Sequence, residues 1–463
     1  MPIPPRTRAH RGTPYVSRTG AFIAVVDGPS LALRRGENVN LAPLLGTASS
    51  LTLNEKITFV AWTDDDTAFA AVTTNDVYAY ELDERAGGVR FIGALKDVGA
   101  KSARWLRGRE WLARSADDGQ SFVLDGGRPA TTTTTTTTVL THCNKFYGND
   151  PNRGFAVSRC GRWMAFLTRD AEAVERVDVF STKPPYQGAV CFPLAPGTDA
   201  RAIEWGDDGE ILVFDDGYGV DSVPKLLVFT SDGALRATVR GACPSYARSS
   251  ASLIAAANAE NAIVWIDTLT WKITRAETHP TKRHPTKRMA SVTTRVYRET
   301  KMEDEMEASV SYSKLDAYEQ KVIALDANGV ERIGIKMALS PCHSMIVTTC
   351  ASHTESTLFV WPTAKTDEDD GGPLAIFIQR SPVVSFRWFE DESVESGARL
   401  VFLCENESAL YSWCPGSQTP ERSALECEEF KPTRIVGLSS ERTNKYLLAS
   451  PKNGGAFIQH SLL

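Results

Sequence analysis

One unit recurs along the whole chain, and a chain built this way can fold only as a repeat architecture. Trp62, in Val60-Ala61-Trp62-Thr63-Asp64-Asp65-Asp66, is followed by apolar residues 68–72 and then by Val77-Tyr78-Ala79-Tyr80. Trp205, in Ile203-Glu204-Trp205-Gly206-Asp207-Asp208-Gly209, is followed by residues 211–214 and then by Leu226-Leu227-Val228-Phe229. Each unit reads strand, polar turn, strand, loop, strand. With the Trp or its equivalent as anchor, units fall at 16, 62, 105, 157, 205, 339, 388 and 438, most of them 43 to 52 residues apart. A ninth unit near 250 lacks its anchor. Short strands on a period of ~40–50 residues are the signature of four-stranded propeller blades. Stretches of 3.6-residue period are too few for a helical solenoid.

The turn slot reads Ser17-Arg18-Thr19-Gly20, Ser158-Arg159-Cys160-Gly161 or Gly206-Asp207-Asp208-Gly209. Gly supplies positive φ, and Asp or Ser caps backbone N–H groups. Trp265 and Trp361, late in their units, are expected to fill the space between blades. This is a degenerate WD-repeat pattern: the Gly-His dipeptide is absent, so the stiffening hydrogen-bond tetrad is not expected in most units. The expected fold is all-β, a WD40-like β-propeller with degenerate repeats in one large ring of about seven to nine blades.

Residues 15–463 make up this ring, and residues 1–14 read as a basic flexible tail. Arg6, Arg8, Arg11 and Arg18 with no acid among them also fit a transit peptide. Residues 131–138 are eight threonines, read as a low-complexity loop. Residues 278–332 read as a long flexible insertion. It opens with a duplication, His279-Pro280-Thr281-Lys282-Arg283 followed by His284-Pro285-Thr286-Lys287-Arg288, and then turns acidic at Glu303-Asp304-Glu305-Met306-Glu307. Residues 282–288 are read as a solvated charged loop, with a nuclear import signal as the alternative.

A net charge of −6 argues against nucleic acid as the main partner. Apolar runs far short of ~18 residues argue against a membrane span. Nine cysteines without a Cys-x-x-Cys pair, behind an N-terminus lacking an apolar signal core, point to a reducing, intracellular setting for most of these thiols. Phosphate-loop, nucleophile-elbow and zinc-helix motifs are missing. Asp64-Asp65-Asp66 lacks the alternating ligands and the Gly of a calcium loop. Cys342, His343, Cys350 and His353 are zinc-ligand types split between a turn and the far end of a strand, where four ligands would not converge. The reading is of a protein that is not an enzyme, with no cofactor, metal or catalytic residue.

Residues 150–415 resemble the WRAP-type WD-repeat family of the centrosome and spindle pole. The residues that carry this are Gly161-Arg162-Trp163-Met164-Ala165, Ile203-Glu204-Trp205, Ser231-Asp232-Gly233-Ala234-Leu235, and above all Leu269-Thr270-Trp271-Lys272-Ile273-Thr274 with His279-Pro280 following. Ile333-Gly334-Ile335, Ser381-Pro382-Val383-Val384-Ser385-Phe386-Arg387-Trp388 and Leu410-Tyr411-Ser412-Trp413 complete the match. The resemblance implies a scaffold in the cytoplasm and cytoskeleton, at the centrosome, spindle pole or basal body. It also implies roles in spindle anchoring, centriole assembly or ciliogenesis. The implied partners are a coiled-coil anchoring protein and, in fungi, a kinesin-14 motor. The expected contact rim holds Trp271, Lys272, His279, Pro280, Ser381 and Pro382. The alternative reading is a translation-initiation-type propeller that binds the ribosome or initiator tRNA.

Overall fold

A computed structural model describes residues 9–36, 51–83, 88–107, 110–115, 121–125, 137–141, 154–170, 172–216, 223–241, 246–248, 252–257, 262–279, 295–301, 310–314, 335–350, 356–364, 372–391, 394, 396–417, 419–440, 445–450 and 455–461. Every regular element among them is a strand, and the strands form nine sheets, eight of four strands and one of six. Within each four-stranded sheet the strands pair as antiparallel neighbours, from an innermost to an outermost strand. The second sheet is typical, with Phe59–Trp62, Ala68–Val72, Val77–Asp83 and Gly88–Leu95 in that order. Its second strand is buried along its whole length, because alternate side chains enter the junctions with the sheets on either side.

These junctions close into a ring. Nine apolar clusters each join two successive sheets. The last links Ile23 and Val25 of the first sheet to Leu447, Ala449 and Phe457 of the ninth. Every anchor read from the sequence lies on an innermost strand, and the unit without one supplies Tyr246–Arg248. Trp62 Nε1–H donates to the Tyr15 carbonyl at 3.1 Å, and Trp205 Nε1–H to the Ala156 carbonyl at 3.1 Å. An anchor tryptophan thus sets the height of its sheet against the one before it. Asp66, at φ 58°, accepts the Ser17 hydroxyl and the N–H groups of Arg18 and Thr19, so one turn caps the turn of the preceding sheet.

The basic tail is shorter than the sequence suggests. His10–Arg11 pairs with Ala456–Ser461 as the outermost strand of the ninth sheet, and Thr13–Val16 is the innermost strand of the first. A free sheet edge offers unpaired N–H and C=O groups, and this segment covers that edge at Ala456 and Phe457. The ring therefore closes through backbone hydrogen bonds between the two ends of the described chain. Residues 1–8 lie outside the described residues.

The expectation of a loop throughout 278–332 needs a second correction. Arg295–Lys301 pairs in parallel with the outer strand Ala375–Ile378 of the seventh sheet, and Val310–Lys314 pairs antiparallel with Arg295–Lys301. Val296 and Tyr297, neighbours in sequence, point to opposite faces. One enters the junction with the sixth sheet and the other the junction with the eighth. The hairpin is held because it extends two apolar cores at once. The remainder, 280–294, 302–309 and 315–334, lies outside the described residues. Of the eight threonines, Thr137 and Thr138 belong to the strand Thr137–Thr141, and the others also lie outside.

Candidate functional site

Links between the first and second, and between the third and fourth, strands of each sheet lie on one face of the ring. The other links lie on the opposite face. This sorting separates the residues expected to form a single rim. Trp271 and Lys272 sit at a link between third and fourth strands. The strand Lys272–Thr278 then crosses the sheet, a rise of roughly 23 Å at 3.3 Å per residue, so that His279 emerges on the other face. Ser381 and Pro382 join the seventh sheet to the eighth and lie on that second face. Pro280 falls outside the described residues.

Two members of the set are not available to a partner. Trp271, at φ 54°, is buried among Leu226, Val228, Leu253 and Val264 between the fifth and sixth sheets. The turn that places it is held by Asp267, whose carboxylate accepts the Leu269 and Thr270 N–H groups and the Thr270 hydroxyl. These bonds hold the Asp267 carboxyl below its ordinary pKa. His279 is wholly buried. Its Nε2 lies 2.8 Å from Thr348 Oγ1, which also accepts the Trp361 indole N–H at 2.9 Å. The ring of His279 meets Phe359 and Trp361 edge-on. His279, Thr348 and Trp361 therefore form the stiffening set of the seventh unit, which the missing Gly-His dipeptide argued against. The signal was present as Thr278-His279, displaced from its unit by the insertion.

Lys272 is exposed, while Ser381 and Pro382 are half-buried. The Ser381 hydroxyl faces a Glu407 carboxylate oxygen at 3.4 Å, and the Pro382 carbonyl accepts the Glu405 N–H at 2.7 Å. Around Lys272 the structure shows apolar surface that sequence reasoning passed over. Leu269 is 74% exposed, Leu235 58% and Ile273 42%. Leu235 opens the outer strand of the fifth sheet, and Leu269 and Ile273 flank Trp271 in the sixth. Arg236 links the two sheets, with its guanidinium 2.8 Å from Glu210 and 3.5 Å from the Leu269 carbonyl. Arg236, Arg240 and Lys272 are all exposed on these outer strands. The available signal was an apolar residue on an outer strand, where no further sheet covers it.

The residues weighed as metal ligands are dispersed. Cys342 and His343 occupy an exposed turn, Cys350 ends the strand Met345–Cys350, and His353 lies outside the described residues. Cys342 shares hydrogen bonds with the Ser340 and Ser344 hydroxyls. Among the described residues no three His, Cys, Asp or Glu side chains gather where they could hold a metal ion.

This arrangement defines a WD40-like β-propeller. The chain is similar in fold to a eukaryotic initiation factor, at 10% identity over 92% of this chain and 88% of that one, with a TM-score of 0.51. Sqt1 of Saccharomyces cerevisiae matches at 10% identity over 88% and 96% of the two chains, with a TM-score of 0.48. The Dos1 propeller matches at 10% over 98% and 94%, also with a TM-score of 0.48. No protein-family model and no curated protein matches the chain.

Proposed function

We propose that the protein is a non-enzymatic scaffold that holds a helical segment of a coiled-coil anchoring protein, serving spindle anchoring, centriole assembly or ciliogenesis at the centrosome, spindle pole or basal body. The observation that carries the reading is the exposed group Leu235, Leu269 and Ile273 beside Lys272. Leu269, Lys272 and Ile273 lie in the stretch Leu269–Thr274 on which the family resemblance most depends, and Leu235 ends its segment Ser231–Leu235. Covering one Leu side chain contributes ~1.5–3 kcal/mol, so three such groups can anchor an amphipathic helix. The exposed Lys272 beside this group favours a helix with an acidic flank. A kinesin-14 motor would then be carried as part of the same complex.

The test is localisation of a tagged chain through mitosis. The wild type is expected to concentrate at spindle poles or basal bodies. L235D with L269D should disperse it at an unchanged melting temperature, since both side chains already face solvent. Diffuse wild-type protein, or recovery of ribosomal proteins in place of coiled-coil proteins, would overturn the proposal.

A further inference from the structure

The junction between the ninth sheet and the first is incompletely packed. Ile23, Val25, Leu447 and Phe457 fill part of it. Beside them the side chains are small, at Gly12, Ala449, Ser450 and Gly455, and a cavity of about 60 Å³ remains. One water needs ~10–15 Å³, and interiors hold few voids larger than that. The innermost strand of the ninth sheet also bulges here. Ile435 pairs with Leu448 and Gly437 with Leu447, which leaves Val436 between them as the extra residue. A bulge re-aims the side chains beside it, and both Arg434 and Val436 border the cavity.

The lining is of two kinds. Pro14, Val436 and Ala449 give it apolar walls, with Pro14 and Ala449 buried. Thr13 and Arg434 are exposed and mark its mouth, and Ser450, 4% exposed, adds a hydroxyl-bearing residue within. Arg434 has no ion pair and no side-chain hydrogen bond among the described residues. Arg11, by contrast, which precedes Gly12, is held by Asp27 at 3.2 Å. Ligand pockets commonly combine apolar walls with a few polar groups that fix orientation. A guanidinium without a carboxylate at the mouth of an apolar cavity suits a ligand with an anionic head and a short apolar body.

We propose that the cavity at this seam binds a short-chain aliphatic carboxylate. An apolar cavity of ~150 Å³ holds benzene, so this one takes a body of about two or three carbons beyond the carboxylate. The planar fork of Arg434 matches the two carboxylate oxygens, and the tail lies against Pro14, Val436 and Ala449. Thr13 and Pro14 belong to the first sheet, and Arg434, Val436 and Ala449 to the ninth. The bound molecule therefore touches both ends of the ring, and binding to the closed form alone stabilises closure. This inference is independent of the helix-binding rim.

The test is titration of the full chain with butyrate, followed by ligand-observed NMR, with acetate and butylammonium as references. The wild type is expected to bind butyrate at millimolar concentration or below, acetate at least tenfold more weakly, and butylammonium not at all. Saturating butyrate should raise the melting temperature and slow hydrogen exchange in Ala456–Ser461. Arg434 has no side-chain bond to lose, so R434Q without ligand should melt as the wild type does and should bind butyrate at least tenfold more weakly. Absence of butyrate binding, equal binding by R434Q, or binding of acetate or butylammonium as tight as that of butyrate would overturn the proposal.

Discussion

Cys160 shows how a repeat slot gives a common residue an uncommon environment. It stands in the turn after the innermost strand of the fourth sheet, exposed, with the Arg162 guanidinium donating to its sulfur and the Ser158 hydroxyl 3.4 Å away. Arg162 first, then Ser158, lower its pKa to about 7. The thiolate therefore forms about two pH units below the ordinary thiol value of 9.0. Its alkylation by iodoacetamide should rise steeply between pH 6 and 8, read by peptide mass spectrometry. Cys191 is also exposed, but burial of its sulfur and the neighbouring Asp178 raise its pKa, so it should lag. Arg162→Ala should shift the Cys160 profile upward in pH, and an unchanged profile would remove Arg162 as the cause. In the core, Trp361 is 1% exposed and is bonded to the Thr348 hydroxyl that also meets His279. Trp361→Ala should cost roughly 3–5 kcal/mol in urea unfolding, as for other emptied large aromatic sites. His279→Ala should also destabilise, by about 1–3 kcal/mol, because it unpairs a wholly buried polar group. That makes His279 a structural residue, in contrast to the contact role expected of it.

The inserted hairpin is secured by a small polar network as well as by Val296 and Tyr297. Glu299, buried on the strand Arg295–Lys301, accepts the Tyr411 hydroxyl at 2.9 Å and the Arg380 N–H at 3.0 Å. Tyr312 on the partner strand donates to Gln379 at 2.8 Å. Tyr411 belongs to the eighth sheet, so the hairpin of the seventh is tied to its neighbour. Burial first, and then nearby negative charge, raise the Tyr411 pKa, which keeps the hydroxyl protonated as a donor. Tyr411→Phe removes a hydrogen bond to a charged acceptor and should cost about 1.5–3 kcal/mol. Hydrogen exchange should speed up within Arg295–Lys301 in that variant. If protection there were unchanged, the apolar contacts alone would be holding the hairpin.

Closure of the ring depends on a very short element. His10–Arg11 covers the edge strand of the ninth sheet, His10 stacks on Phe457 at 5.1 Å, and Arg11 meets Asp27 at 3.2 Å. Gly12, at φ 114°, lets the chain step from the ninth sheet to the first, and its N–H donates to the Gly455 carbonyl at 2.7 Å. A Cβ there would lie 2.8 Å from Val25 Cγ1 and 2.9 Å from the Val26 carbonyl oxygen. Gly12→Ala and removal of residues 1–11 should both lower the melting temperature. Exchange protection should be lost first in Ala456–Ser461, the strand left as the free edge of the ninth sheet. Loss of protection first in the fifth sheet would show that the seam does not limit stability.

The sequence by itself determined the periodic part of this protein. Apolar strands separated by Gly- and Asp-bearing turns recur every ~45 residues, and local hydrogen bonding and burial require the same response from each. Units, anchors and the all-β class were therefore legible from residue order, down to Trp62 and Trp205 on their innermost strands. Only the tertiary structure decided what depends on pairing between distant segments. The edge of Ala456–Ser461 gives strand structure to His10–Arg11, and two neighbouring cores capture Val296 and Tyr297. The junctions between sheets bury Trp271 and His279 while leaving Leu269 exposed beside them. The folded ring alone brings the Arg387 guanidinium onto the Val436 carbonyl, since groups 49 positions apart in sequence become neighbours only when consecutive units stand next to each other around one axis.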